Sequence, residues 1–388
     1  MRQSFDELLT RGVSECTDKK HLSVRLHSGE KLRIKFGIDP TSPHLHLGRA
    51  VPLLKLRDFQ QVGHTIIIII GDFTAVIGDT SDKDAERPML TPEQVETNKK
   101  TYLQQAAKIL DIDKAEIYHN TKWLGGLTYR EIGEQADIFS VADFIARSNI
   151  KSRLDAGKRV SLREMLYPLM QGYDSVMVKA DLEVGGNDQW FNLLAGRTLQ
   201  EKYRQQPQDI LTTNLIMGTD GRKMSSSWGN TINLLENPID MFGKIMRLVD
   251  SEIIPYFVHC TRVSLEEIIT IEKNIQSGEN PKDSKMKLAY EITKIYSGTD
   301  GADAGKEHFT RVIQNKEQPN EIGESAVDGM TIIEALVISG LSPSMSDARR
   351  VIEQGGVKID DALVHNATDL VQKGSVIQKG KREFVRVI

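Results

Sequence analysis

The sequence predicts an α/β protein, and three observations carry that reading. Residues 31–38 (KLRIKFGI) alternate polar and apolar, as a strand does. Residues 48–63 (GRAVPLLKLRDFQQVG) then place Leu53, Leu56 and Phe59 at helical spacing, with Gly63 as a stop. Residues 66–70 are all isoleucine, about a quarter of the length that crosses a bilayer. A β-branched run of this kind suits a strand buried on both faces. Strand, loop, helix, strand is a βαβ unit, which implies a parallel, Rossmann-like sheet.

Further elements follow in order. Residues 87–160 are mostly helical in pattern and read as an insertion between two halves of the sheet. Strand character returns at 209–216 (DILTTNLI). A second helical stretch spans 238–320, punctuated by GENPKDS and SGTDGADAG, which read as loops. Near the end, SDARRVIEQGG predicts a short helix with Ser346 as N-cap and a glycine stop. Residues 357–359 and 384–388 alternate like strands, so the chain closes on a small α+β module. Arg349, Arg350, Lys358, Lys379, Lys381 and Arg382 are placed to share one face of it. The expected division is 1–228 with the insertion at about 87–160, then 229–322, then 328–388. That matches a length of 388 residues at roughly 100–200 residues per domain.

Composition narrows the function. Hydrophobic residues make up 39% and charged residues 27%, enough to bury a large core. With 50 Lys+Arg against 54 Asp+Glu, the net charge is -4. Bulk positive charge therefore cannot coat nucleic acid, and a polyanion has to be met by local clusters. Two cysteines, Cys16 and Cys260, exclude a disulfide framework and a Cys-rich zinc site. A reducing, cytoplasmic setting is expected, with no protein-held metal and no membrane partner. The opening MRQSFDELLTRG is polar and lacks the apolar core of a signal peptide.

Two segments carry chemistry. Asp39-Pro40-Thr41-Ser42-Pro43-His44-Leu45-His46-Leu47-Gly48-Arg49 joins a strand to a helix N-terminus, where unpaired N–H groups and the helix dipole favour an anion. Gly48 leaves room for a nucleotide to approach the backbone, and His46 and Arg49 add donors. Gly221-Arg222-Lys223-Met224-Ser225-Ser226-Ser227 is a loop with two cations and three hydroxyls, suited to closing over a triphosphate. Alone, the first reads equally as a capped helix start and the second as a basic surface loop. Together, at opposite ends of a Rossmann-like region, they form a nucleotide clamp.

These two segments resemble the signatures of the class I aminoacyl-tRNA synthetases, usually written HIGH and KMSKS. Between them, Tyr167-Pro168-Leu169-Met170-Gln171-Gly172-Tyr173-Asp174, Gly185-Gly186-Asn187-Asp188-Gln189-Trp190 and Gly71-Asp72-Phe73-Thr74-Ala75-Val76-Ile77-Gly78-Asp79 look like the bacterial tyrosine-specific branch. SDARRVIEQGGVKID resembles an S4 RNA-binding module. The resemblance covers nearly the whole chain, in order.

The residues are consistent with it. Tyr167, Gln171 and Asp174 fall at i, i+4 and i+7, one face of a helix. The resemblance implies that Asp174 accepts the phenol O–H of tyrosine. Tyr167, Gln171 and Asp79 would hold its ammonium, Gln189 would lie near its carboxylate, and Asn120 and Thr74 would line the pocket. A buried carboxylate deprived of its donor is costly, which disfavours phenylalanine. ATP would be met by Asp39, Thr41, His46, Gly48, Arg49, Gly186, Asp188, Lys223, Met224 and Ser225, with Asp188 on the ribose. His46, Arg49 and Lys223 would be catalytic, with Mg²⁺ on the phosphates. The tyrosine carboxylate is already ionised and attacks the α-phosphate without a general base. The enzyme supplies positioning and donors for developing charge.

Three positions depart from the pattern. Arg49 replaces a histidine, Ser226 replaces the second lysine of KMSKS, and Lys35 stands where one branch has a tyrosine. Partners implied are tRNA(Tyr), L-tyrosine, ATP and a second copy of the chain, with the dimer contact near 138–166. Lys282, Lys285 and Lys287 would meet the anticodon stem, and Arg349, Arg350 and Lys358 would bind RNA. Two other readings stay open: a synthetase for tryptophan, and a non-catalytic RNA-binding relative.

Overall fold

In the computed structural model, five consecutive isoleucines lie in the middle of a six-stranded sheet, and all five are buried. The structure describes residues 5–81, 89–314, 323–380 and 383–388. The strands are β1 (Val13–Cys16), β2 (Arg33–Ile38), β3 (Thr65–Ile70), β4 (Glu116–His119), β5 (Leu182–Gly186) and β6 (Asp209–Thr213). Their order is β1-β6-β5-β2-β3-β4. Every neighbouring pair is parallel except β1 with β6, so the sheet is mixed. From β2 the chain builds outward to β3 and β4 on one side, and later to β5 and β6 on the other. The crevice at the carboxyl ends of β2 and β5 is therefore a topological switch point, where open α/β sheets bind ligands.

The helix Leu47–Gln61 crosses from β2 to β3, buries Leu53, Leu56 and Phe59, and accommodates Pro52 within it. The expected strands shift by a residue or more: 31–38 becomes Arg33–Ile38, 66–70 becomes Thr65–Ile70, and 209–216 ends at Thr213. The stretch 87–160 is not helical throughout. It contains β4, which pairs with β3 from Ile67↔Glu116 to Ile70↔His119 and closes the sheet edge. Four residues, none of them buried, offer too little alternation to be seen locally. The first two residues of that expected insertion, 87 and 88, lie outside the described residues.

Contacts group the chain into two units, 1–237 with 244–298, and 238–243 with 299–388. The stretch 229–322 is thus shared between them. SGTDGADAG is a break only at its start: Gly298, with φ +73°, is not helical, and residues 299–308 after it are helix. Within the second unit, buried Ala302 and the packing of Gly305 against Phe242 stabilise helix where composition suggested a turn.

The second unit carries its own five-stranded sheet, β7 (Gly323–Ser325), β8 (Val357–Ile359), β9 (Ala362–Leu363), β10 (Val376–Lys379) and β11 (Glu383–Val387). The order is β7-β11-β10-β8-β9, with helices Ile332–Ile338 and Met345–Glu353 around a core that includes Ile332, Leu336, Ala348, Ile352, Ile377 and Val387. The N-cap of the second helix is Ser344, not Ser346: Ser344 accepts from the N–H of Asp347. A capping acceptor must stand two or three residues before the donor it satisfies, and Ser346 is already inside the first turn. Among the described residues, no helix is long and apolar enough to cross a membrane.

Candidate active site

The loop leaving β2 and the start of the next helix are fastened side by side. Arg49 donates to the Asp39 carbonyl (3.2 Å), the Thr41 hydroxyl (2.8 Å) and the Tyr102 hydroxyl (2.9 Å). A third segment supports the turn from behind. Asn98 donates to the Pro40 carbonyl, Thr101 and Gln105 donate to that of Pro43, and Gln105 accepts from Leu45 N–H at 2.7 Å. His46 occupies the N-cap of Leu47–Gln61. The Gly48 N–H points at the Met224 sulfur, 3.3 Å away. The two signature segments therefore meet, and residues 45–47 also pair with 232–234 through Leu47 N–H to Ile232 and Leu234 N–H to Leu45, each 2.9 Å.

Asp39 closes one wall of the cavity. Its two oxygens accept from Thr74 (2.8 Å) and Tyr167 (2.9 Å). Burial pushes its carboxyl up to about 6, opposed by those two hydrogen bonds. Gly71 makes this arrangement possible. A Cβ there would lie 2.0 Å from the Asp39 carboxylate and 2.3 Å from the Thr74 hydroxyl.

Asp174 closes the inner end. It is 3% exposed. One oxygen accepts from the Trp123 indole N–H at 2.8 Å and the other from the Asn120 amide at 3.3 Å. Burial raises its carboxyl to about 7, opposed first by the charge of Lys35 and then by the Trp123 and Asn120 donors. Tyr167 is held neutral by burial and by the adjacent Asp39 and Asp79 charges. Asp79 accepts from Gln189 at 2.8 Å and from Ser81. Tyr167, Gln171 and Asp174 share one face of the helix Leu162–Val178 and all line the cavity.

The second signature follows β6. Lys223 lies 3.2 Å from Asp188, which stands just beyond β5. The loop is internally braced. Asn230 accepts from Ser225 N–H and donates to Asp220, while Arg222 pairs with Asp220 and stacks over Trp228 at 4.7 Å.

Most of the residues named from the sequence surround one cavity. His46, Gly48, Arg49, Lys223, Met224 and Ser225 line it, with Ser226. So do Asp39, Thr74, Asp79, Tyr167, Gln171, Asp174, Gly186, Asp188 and Gln189. Thr41 and Asn120 do not line it. Thr41 is behind Arg49, and Asn120 is buried between Thr74 and Asp174. Arg349, Arg350 and Lys358 belong to the second unit, where Arg350 pairs with Asp347. Lys381 and Arg382 lie outside the described residues. Lys285 and Lys287 are engaged with Asp250 and Glu267.

Sequence reasoning missed Trp123, Tyr102 and Glu183. Trp123 stands three residues after Asn120, a spacing that places it across the pocket only once β4 is known. Tyr102 had no local signal.

A family model described as tRNA synthetases class I (W and Y) matches residues 27–314. The chain belongs to this family of class I tRNA synthetases. Its relatives include proteins named tyrosine–tRNA ligase. One from Dehalococcoides mccartyi (strain CBDB1) is 42% identical, covering 99% of this chain and 98% of its own. The relative from Thermotoga maritima is 42% identical over 98% and 96%, and that from Bordetella avium 44% over 100% and 94%. Solved structures share the fold. A truncated mitochondrial tyrosyl-tRNA synthetase from Coccidioides posadasii superposes with a TM-score of 0.64 at 22% identity, covering 79% of this chain and 91% of that one. One from Archaeoglobus fulgidus, complexed with L-tyrosine, gives 0.62 at 23%, covering 78% and 98%.

Proposed function

We propose that this chain is a tyrosine–tRNA ligase. It activates L-tyrosine with ATP, releasing pyrophosphate, and passes the tyrosyl group to the 3′ end of tRNA(Tyr). The observation that carries this is Asp174, a buried carboxylate at the inner end of the cavity, with both oxygens already oriented by neutral donors. A ligand reaching it has to bring a hydrogen-bond donor, which the phenol O–H of tyrosine supplies. Phenylalanine would leave the carboxylate short of a partner, at about 1–3 kcal/mol or more for a charged group.

The substrate ammonium lies toward Tyr167, Gln171 and Asp79, and its carboxylate toward Gln189. ATP lies over the N-terminus of Leu47–Gln61, whose dipole favours phosphate. Gly48 leaves space for the nucleotide. Lys223 exchanges Asp188 for the phosphates as ATP enters, and Asp188 turns to the ribose hydroxyls. The tyrosine carboxylate attacks the α-phosphate, the bond to pyrophosphate breaks, and His46 and Lys223 stabilise the charge that develops. Arg49 acts from its position on the 39–41 turn. Mg²⁺ arrives on the ATP phosphates, as part of the substrate. A ribose hydroxyl of the tRNA end then attacks the adenylate carbonyl, and AMP leaves.

Three assignments concern the larger assembly. The chain forms a homodimer through the region near 138–166. Val141 (73% exposed) and Leu162 (83%) support this as a surface with apolar side chains in solvent. The C-terminal module is an S4-like RNA-binding domain, with Arg349, Arg350 and Lys358 as phosphate contacts, and the helices of 229–322 meet the anticodon stem. The expected setting is cytoplasmic.

The test is ATP–pyrophosphate exchange by the pure protein with Mg²⁺ and each of the twenty amino acids, followed by charging of matched tRNA. Tyrosine alone should support both. Exchange with tryptophan, or tRNA binding with no adenylate, overturns the assignment.

A further inference from the structure

Lys35 is fully buried on β2, and Glu183 on β5 is 1% exposed. They are register partners across the switch point. The Lys35 ammonium lies 2.8 Å from Glu183 Oε1, and it donates to the Gln171 carbonyl and the Ser175 hydroxyl, each at 2.8 Å. These three contacts use all three of its donors. The other Glu183 oxygen accepts from Ser175 at 3.0 Å and from Gln208. The Gln171 amide points at Glu183 from 3.5 Å.

Burying an ion pair costs several kcal/mol per ion before the attraction returns it, so an apolar pair would usually serve stability as well. A stability role alone therefore explains this pair poorly. Its contacts fall on Gln171 and Ser175, which flank Asp174 along the helix Leu162–Val178. Gln171 and Asp174 both line the cavity.

We propose that the Lys35–Glu183 pair is the specificity-determining support of the tyrosine pocket, holding Gln171 and Asp174 so that a ligand must present a hydroxyl donor to the Asp174 carboxylate. The pair acts through those two residues and is a positioning device. This rests on the tyrosine reading above. Its electrostatics have a sign: Lys35 favours the Asp174 anion, and Glu183 opposes it. Facing Asp174 besides these are the Tyr167 phenol on its own helix and the neutral donors Trp123 and Asn120 beyond β4.

The experiment compares wild type with Lys35→Met, Glu183→Gln and the double variant that carries both changes. Binding of tyrosine and of phenylalanine is measured by calorimetry between pH 5.5 and 9, with ATP–pyrophosphate exchange alongside. In Lys35→Met, tyrosine binding should need a higher pH, by about one unit, and the tyrosine-to-phenylalanine preference at pH 7 should shrink roughly tenfold. In Glu183→Gln the acid limb should move the other way. The double variant removes both charges of the pair together, so it keeps the test if Lys35→Met does not fold. It should melt near wild type and still lose preference. Equal losses for both amino acids, or a preference within twofold of wild type in a folded variant, overturn the proposal. Absence of exchange in wild type that still prefers tyrosine in calorimetry would count against the ligase reading and leave this one standing.

Discussion

Asp39 and Asp174 are carboxylates whose ionisation is opposed by loss of water, and the fold holds them near about 6 and about 7 against an ordinary 3.8. The native protein therefore binds protons between pH 4 and 7 that the unfolded chain has released. Stability attached to these groups is complete below pH 4 and is lost as pH rises through 6 to 7. It should amount to a few kcal/mol, and Asp174→Asn should flatten that part of the profile in urea denaturation at pH 5 and pH 8. The same substitution should lower tyrosine kcat/KM in pyrophosphate exchange by roughly 10- to 100-fold, since it removes a charged acceptor worth about 1.5–3 kcal/mol. Tyr102→Phe tests the clasp on the first signature. It removes the acceptor 2.9 Å from Arg49, and should slow activation several-fold, about 1 kcal/mol, while leaving tyrosine affinity unchanged. The helical face of Tyr167, Gln171 and Asp174 was legible because i, i+4, i+7 spacing is a local property. Trp123 and Tyr102 were not, because what gives them a role is a partner about fifty residues away.

Helices and strands owe their positions to close approach as much as to hydrophobic pattern. Gly172 brings the helix Leu162–Val178 against Trp190–Lys202. A Cβ would stand 2.9 Å from the Ala195 backbone. Gly172→Ala should cost about 1–3 kcal/mol, the usual range for overpacking, read as a lowered denaturation midpoint. Gly71→Ala acts locally, on the Asp39–Thr74 hydrogen bond, and should depress exchange activity far more than it depresses stability. The βαβ unit was legible from residues 31–70 since its periods are strong. β1, β4 and β5 were not, being four or five residues long and defined by their neighbours in the sheet. SGTDGADAG held a break at Gly298 but misled beyond it, because composition registers turn propensity and not the packing of Ala302 and Gly305.

For the whole molecule, removal of residues after 322 should leave tyrosine-dependent pyrophosphate exchange within a few-fold of wild type, since every residue lining the cavity lies in the first unit. Charging of tRNA should fall, and its affinity should lose part of its salt dependence. Chemistry, spacing and the order of the signatures were fixed by the sequence itself. Side-chain type and local period decide what a segment can bind and which face it buries. The tertiary structure alone decided which groups share a cavity: that Arg49 turns to Asp39, Thr41 and Tyr102, that Asp174 takes Trp123 and Asn120 as donors, and that Lys35 is paired with Glu183. The physical reason is that burial and hydrogen-bond partnership arise between segments far apart in the chain, and no local pattern encodes the distance between them.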